Sequence, residues 1–339
     1  ARPLDEASVL NVLASGASAV AADAATARLK AVAEAVERYS AFAPCDQPAP
    51  GSLPPVPLGW QAALPASLAG GPEATATRLS DGSTWRVPAA LARIVARWPG
   101  IGSSGLAVGR DLDDATRRAL LELVERDAVT RWWRRGLVSP AADLEGEPLS
   151  PDAEGWIDLL AARGRRVWAL DLTTDLGIGV TAVISQASAA GGIAVGFGSG
   201  RLAAEGALGE HWQQLARDPA MTERPVPGLG QPAALAQRRR DASAAGLPWL
   251  GPNPAAVAPP RHAADSLHDI TARLTEAGIE AWRIDLTHPS LGVPVVRVIA
   301  PALALPEAPG DHPRLADGSV DARYARRSVD APPLADLWS

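Results

Sequence analysis

Two segments of this chain carry the same charged pattern inside otherwise apolar stretches: Glu34-Ala35-Val36-Glu37-Arg38 and Glu122-Leu123-Val124-Glu125-Arg126. Glutamates three residues apart on a helix point in nearly the same direction, so each segment presents two carboxylates to one side. The alanine-rich stretch 19–43 repeats Leu29, Val32, Val36 and Tyr39 at helical spacing, with Asp23 placed to cap it and Pro44 to end it. The stretch 111–134 begins at a capping Asp111 and carries Leu112, Ala115, Ala119, Leu120, Leu123 and Val124 on its apolar side. Two readings suit this pattern. The glutamates either lie on solvated faces, held by the neighbouring Arg38 and Arg126, or converge on a shared site where their oxygens hold hard divalent cations beside phosphates. Glu210, on a third helical stretch at 201–217 and followed by Gln213 and Gln214, is a further acidic candidate.

The remaining composition narrows the choice. With 339 residues and 47% of them hydrophobic, the chain can bury a sizeable core in one large domain or two ordinary ones. The 32 basic and 38 acidic residues leave a net charge of -6, which excludes a chain-wide basic footprint for nucleic acid. Cys45 is the single cysteine, excluding a disulfide framework or a multi-cysteine zinc site within the chain. No long uncharged apolar run suggests a membrane span, and the start does not read as a signal peptide. The expected compartment is cytoplasmic.

Standard catalytic patterns are missing. No Gly-rich loop ends in Gly-Lys-Ser or Gly-Lys-Thr, and no His-Glu-x-x-His occurs. Gly196-Phe197-Gly198-Ser199-Gly200 follows a strand pattern without the full dinucleotide spacing, so it reads as a tight strand-helix turn. Of the five histidines, His211 beside Glu210 is the one to keep near a site. Trp132, Trp133 and Trp212 suit a core or the wall of a cleft. No residue is assigned as a catalytic acid, base or nucleophile.

The remaining pattern predicts strands at 84–87, 167–170, 177–184, 192–197, 281–285 and 294–299, and a helix at 264–277. Residues 44–79 read as a long connection and 138–155 as a polar segment. Residues 219–263 read as a loop or mobile excursion, and 302–339 as an irregular tail. A second echo joins the glutamate one. Asp171-Leu172-Thr173 precedes Leu176-Gly177, and Asp285-Leu286-Thr287 precedes Leu291-Gly292. Together the echoes suggest a duplicated strand-helix arrangement within a single domain, 1–339.

The chain resembles the YcaO-domain family. The resemblance rests on Ala31-Val32-Ala33-Glu34-Ala35-Val36-Glu37-Arg38-Tyr39-Ser40, on Gly105-Leu106-Ala107-Val108-Gly109, and on Ala119-Leu120-Leu121-Glu122-Leu123-Val124-Glu125-Arg126-Asp127-Ala128. Val87-Pro88, Gly196-Phe197-Gly198, Ala207-Leu208-Gly209-Glu210, and Gly292 to Val298 match in the same order. The resemblance implies an α+β fold with mixed sheets and packed helices around a nucleotide-type cleft. It implies ATP and Mg2+ as cofactors, with Glu34, Glu37, Glu122, Glu125 and Glu210 as metal and nucleotide ligands, and with Arg38 and Arg126 beside them. The implied activity is ATP-dependent cyclodehydration of Cys, Ser or Thr to azolines in a ribosomally made peptide. The implied partners are that peptide, a leader-binding protein and a second copy of the chain. Relatives that form thioamides or amidines give one alternative, and a degenerate scaffold subunit gives another. Positions usually polar or basic in the family differ here: Ala17, Lys30, Ser104 and Gly206. Lys30, one turn before Glu34, is placed to compensate at a phosphate.

Overall fold

Asp23 and Asp111 start the two long helices as their short carboxylates predict. In the computed structural model Asp23 accepts hydrogen bonds from the Ala25 and Thr26 amides, and Asp111 accepts one from the Asp114 amide. The helices are α1 (Ala24–Phe42) and α2 (Leu112–Arg135). The structure describes residues 17, 19–21, 23–42, 49–59, 71–93, 102–144, 146, 149–188, 191–217, 247–262, 266–306, 308 and 310–316. Cys45 and Ala14 to Gly16 lie outside them.

The chain divides into two compact units. One comprises residues 1–18, 28–126 and 265–314, the other 19–27, 127–264 and 315–339. In the first, strands β1 (Glu73–Arg78), β2 (Thr84–Pro88), β3 (Leu106–Val108), β7 (Trp282–Asp285) and β8 (Val295–Ile299) form an antiparallel sheet in the order β2-β1-β7-β8-β3. Alternating side chains of this sheet, among them Ala74, Ala76, Ile284, Val295 and Ile299, form a core with Ala41 and Val36 of α1. The register pairs Val108 with Val295 and Leu106 with Arg297, which leaves β3 as an edge strand.

In the second unit β4 (Arg166–Asp171), β5 (Val180–Ser188) and β6 (Gly191–Ser199) form an antiparallel meander. Helices α3 (Pro151–Ala162) and α4 (Ala203–Arg217) cover one face, where Ala153, Ala169, Val183, Ala207 and Leu208 pack together. Gly196 and Gly198 let α4 lie directly on β6. A Cβ at either position would fall about 2.1 to 2.2 Å from the α4 backbone. Phe197, pointing the other way, meets Trp132, which meets Trp133 and through it Trp249, all edge to face.

The first unit also holds α5 (Leu267–Glu276), started by a Ser266–Asp269 capping box, and a one-turn helix, α6 (Pro313–Ala316), lies near the end of the described chain.

The Asp-Leu-Thr echo is a shared hairpin turn. In each copy the aspartate accepts the threonine amide, Asp171 from Thr173 at 2.8 Å and Asp285 from Thr287 at 2.9 Å. In each copy the threonine hydroxyl accepts the amide that opens the next strand, from Val180 and from Val295, both at 3.3 Å. Gly177 and Gly292 turn the chain with φ of 65° and 62°.

Several sequence-based expectations need correction. Residues 73–78 are β1, inside the stretch read as a connection: Ala74 and Ala76 alternate inward but are too small to stand out from an alanine-rich background. Residues 106–108 are β3, whose three residues are too short for a period. Pro151 opens α3, within the stretch read as polar: Ser150 caps it by accepting the Ala153 amide, and proline in the first turn loses no bond. The strand expected at 177–184 runs from Val180 to Ser188. Of the excursion expected at 219–263, residues 219–246 and 263 lie outside the described residues, and the described part, 247–262, makes these contacts. Trp249 and Leu250 are buried, the Trp168 indole donates to the Leu250 carbonyl at 2.6 Å, and Arg261 pairs with Asp171 at 3.0 Å. Of the tail expected at 302–339, residues 317–339 lie outside the described residues, and Leu303, Ala304 and Leu305 are buried before α6.

Candidate functional site

The first unit brings both glutamate pairs to one strand edge. The Val108 amide of β3 donates to Glu37, and the Gly105 amide just before β3 donates to Glu122 Oε2 at 3.1 Å. Amides 106 and 108 alternate with those that pair to β8, where Val298 bonds to Gly105 and Gly109 bonds to Pro294. The outward amide of Val108 therefore needs an acceptor, and α1 supplies one. Gly105 has to be glycine: its φ is 82°, and a Cβ would lie 2.5 Å from the Val298 carbonyl oxygen.

The arginines lie against the glutamates. Arg38 pairs with Glu34 one turn back on α1. Arg126 spans Glu122 at 3.5 Å and Glu125 at 3.3 Å on α2. Glu37 carries the electrostatic strain. Burial first, then the charges of Glu122 and Glu34, push its carboxyl up to about 8, against the smaller downward pulls of Arg38 and the Val108 amide. Glu37 and Glu122 come from different helices, so this mutual repulsion shows that the two pairs share one electrostatic environment. Sequence spacing left open whether they lay on solvated faces. Glu125 is buried and the other three are half-buried.

These oxygens suit a hard cation. A divalent ion beside Glu37 would relieve the repulsion that now favours its protonated form. Among the described residues no three acidic, histidine or cysteine groups gather around one point. Magnesium prefers oxygen ligands and is commonly held by one or two carboxylates, with phosphate and water oxygens in its other positions.

The other expected residues are described within their own units. Lys30 is exposed on α1, and the carboxylate one turn ahead of it, Glu34, pairs with Arg38. Glu210 belongs to the second unit, where it accepts the Phe197 amide at 2.5 Å, while Gln214 accepts the Val195 amide at 2.6 Å. These are the outward amides of edge strand β6, so Glu210 and Gln214 there use the same device as Glu37 at β3. His211 is a core residue. Its Nε2 lies 2.7 Å from the Ser185 hydroxyl, which also accepts from Arg165, and burial followed by the Arg165 charge pulls its pKa down to about 3. Sequence reasoning missed the Gly105 and Val108 amides as site components. The available signal was a glycine directly before a short apolar run, Leu106-Ala107-Val108.

A family sequence model described as YcaO cyclodehydratase, ATP- and Mg2+-binding, matches residues 18–304. The chain belongs to the YcaO family. Its α+β fold, expected from the sequence, agrees with solved YcaO structures. A heterocyclase in complex with substrate and cofactor is 22% identical with a TM-score of 0.68, covering 91% of this chain and 48% of that one. YcaO from Methanopyrus kandleri, bound with AMPPCP and Mg2+, is 23% identical with a TM-score of 0.59, covering 90% and 80%. The E. coli microcin synthetase McbBCD complex with pro-MccB17 bound is 13% identical with a TM-score of 0.59, covering 84% and 81%. At these identities the likeness establishes the fold. This YcaO chain spans about half the length of the heterocyclase. No curated protein sequence matches it significantly. Among the described residues no helix is long and apolar enough to cross a membrane.

Proposed function

We propose that this YcaO protein uses ATP and Mg2+ to activate backbone amides of a ribosomally made peptide, converting Cys, Ser or Thr to an azoline. The observation that carries the reading is the approach of Glu37 and Glu122 from different helices, with Glu37 pushed up to about 8 by burial and by the charges of Glu122 and Glu34. Bound nucleotide would supply the phosphoryl group that takes the amide oxygen away as phosphate, while the substrate thiol or hydroxyl loses its proton and closes on the amide carbon and the amide nitrogen loses its own, so that the oxygen and two hydrogens leave. Glu34, Glu37, Glu122 and Glu125 would hold magnesium through their oxygens. Arg38 and Arg126 would align phosphates, and the Gly105 and Val108 amides would fix the glutamates' orientation. Glu210 and Lys30 are proposed as outer contributors. The family description and the nucleotide-bound and substrate-bound relatives support the reading. The proposed partners are the substrate peptide, a separate leader-binding protein and a second copy of the chain; the proposed setting is the cytoplasm.

One observation favours a second reading, a non-catalytic YcaO subunit supporting an active partner. Gly206 replaces the arginine common in the family and lies exposed on α4, so that cation is absent from its helix position. Incubation with a co-encoded peptide, its leader-binding partner and Mg-ATP, read by intact mass, decides between them. Loss of one water per modified site is expected. Exchange of oxygen for sulfur, or loss of water through an amine, would move the reading to a thioamide or amidine enzyme. An unchanged mass with the partner present refutes catalysis by this chain.

A further inference from the structure

The arginines of the two Glu-x-x-Glu-Arg segments do not stand clear of the glutamates waiting for phosphate. Arg38 holds Glu34, and Arg126 bridges Glu122 and Glu125, so two guanidinium groups lie on three of the four site carboxylates. Both contacts with the first glutamate of a pair run one helical turn backwards along the same helix, so no rearrangement of the fold is needed to make or break them. The side chains of Arg38 and Arg126 retain 23% and 18% of their exposure, which leaves each a path to swing.

We infer that Arg38 and Arg126 are exchangeable counter-ions that occupy the glutamate oxygens until a metal-polyphosphate arrives, and then transfer to its phosphates. This rests on the nucleotide-site reading above. The chemistry favours the exchange in one direction. A divalent ion arriving alone has to displace a guanidinium from the oxygen it needs, and brings no acceptor for the displaced cation. An ion arriving with a triphosphate brings that acceptor with it, because guanidinium binds phosphate through two parallel hydrogen bonds. Ion and nucleotide are therefore taken up together, and neither is held firmly by itself. Adding the ion relieves the repulsion among Glu37, Glu34 and Glu122, and moving the arginines onto the phosphates keeps the total charge of the site from collapsing onto the carboxylates.

The test uses the full chain and Mn2+ as a magnesium surrogate, with free Mn2+ counted by electron paramagnetic resonance, alone and with AMPPCP. In the wild type, AMPPCP should tighten Mn2+ binding at least about tenfold. Arg38→Gln should bind Mn2+ alone about three- to fivefold more tightly, the release of a partly exposed ion pair. With AMPPCP the same variant should bind more weakly than wild type. A change of net charge alone would give similar signs, so the deciding comparison is a cycle with Glu34→Gln. In that background Arg38→Gln should no longer improve binding of Mn2+ alone, because the oxygen it competed for has gone. Arg28→Gln, which removes an exposed cation from the same helix, should change neither arm more than about twofold. An Arg38→Gln gain that persists unchanged beside Glu34→Gln overturns the exchange while leaving the nucleotide site standing. Wild-type protein that binds neither Mn2+ nor Mn2+-AMPPCP overturns the nucleotide site, and the exchange with it.

Discussion

Replacing Glu37 with glutamine should reverse part of the protein's response to alkali. Burial, with Glu122 and Glu34 adding to it, raises Glu37 from its ordinary 4.5 to about 8. A carboxyl that holds its proton more tightly in the folded state than in the unfolded one contributes stability while protonated. That contribution is whole below the unfolded value of 4.5, shrinks as pH rises, and is lost once pH passes about 8. At about 1.4 kcal/mol per pH unit the full interval is worth roughly 5 kcal/mol. Solvent reaching a half-buried group, and relaxation of the neighbouring carboxylates, reduce this to roughly 2–4 kcal/mol. Glutamine keeps the shape and never ionises. Wild type and Glu37→Gln should therefore be almost equally stable near about pH 5, and the variant should be more stable by roughly 2–4 kcal/mol near about pH 9. Urea denaturation at several pH values, without divalent ions, measures the difference. Parallel stability curves for the two proteins would refute the account of Glu37, and so would a difference that narrows as pH rises.

Three other outcomes are expected. Gly105→Ala should cost roughly 2–4 kcal/mol by denaturant melt, because a left-handed backbone and a contact of 2.5 Å with the Val298 carbonyl coincide there. Thr173→Val should cost roughly 1–3 kcal/mol by the same measurement: it removes the hydroxyl that accepts the Val180 amide and leaves a buried donor without that bond. Gly206→Ala should stabilise α4 by roughly 0.5–1 kcal/mol in thermal melts, since its Cβ would meet only the Gly198 Cα, at 3.5 Å, and alanine is the better helix former.

The parts of the molecule that were legible in the sequence are those where one local rule acts without competition. Asp23 and Asp111 name their helix starts because a short carboxylate at that position has one good use. The Asp-Leu-Thr repeat was visible as a repeat, although its meaning as a turn whose side chains bond its own backbone emerged only from geometry. The four glutamates were legible as pairs. Their convergence depends on contacts between residues far apart in the chain, such as Glu37 with Val108, which no spacing encodes. Pro151 misled because proline ends helices from within but opens them at the first turn, and only the Ser150 cap distinguishes the cases. β1 was hidden by alanines that are buried for their size.

Both sheets present margins that are already engaged. Residues 54–56 bond along β2 through Val56 to Arg86 and Arg86 to Pro54, and residues 140–142 do the same along β4. At the remaining margins side chains take outward amides, Glu37 that of Val108 on β3, and Glu210 and Gln214 those of Phe197 and Val195 on β6. At these positions a peptide adding itself as another strand would first have to evict a glutamate or peel away a segment. Under the proposed function, these positions would hold little of a substrate's main chain by laddering, and a recognition element elsewhere would supply the grip. A core peptide offered without its leader should accordingly bind weakly in fluorescence anisotropy, whatever its sequence, and the same peptide joined to its leader should bind tightly only when the recognition partner is present.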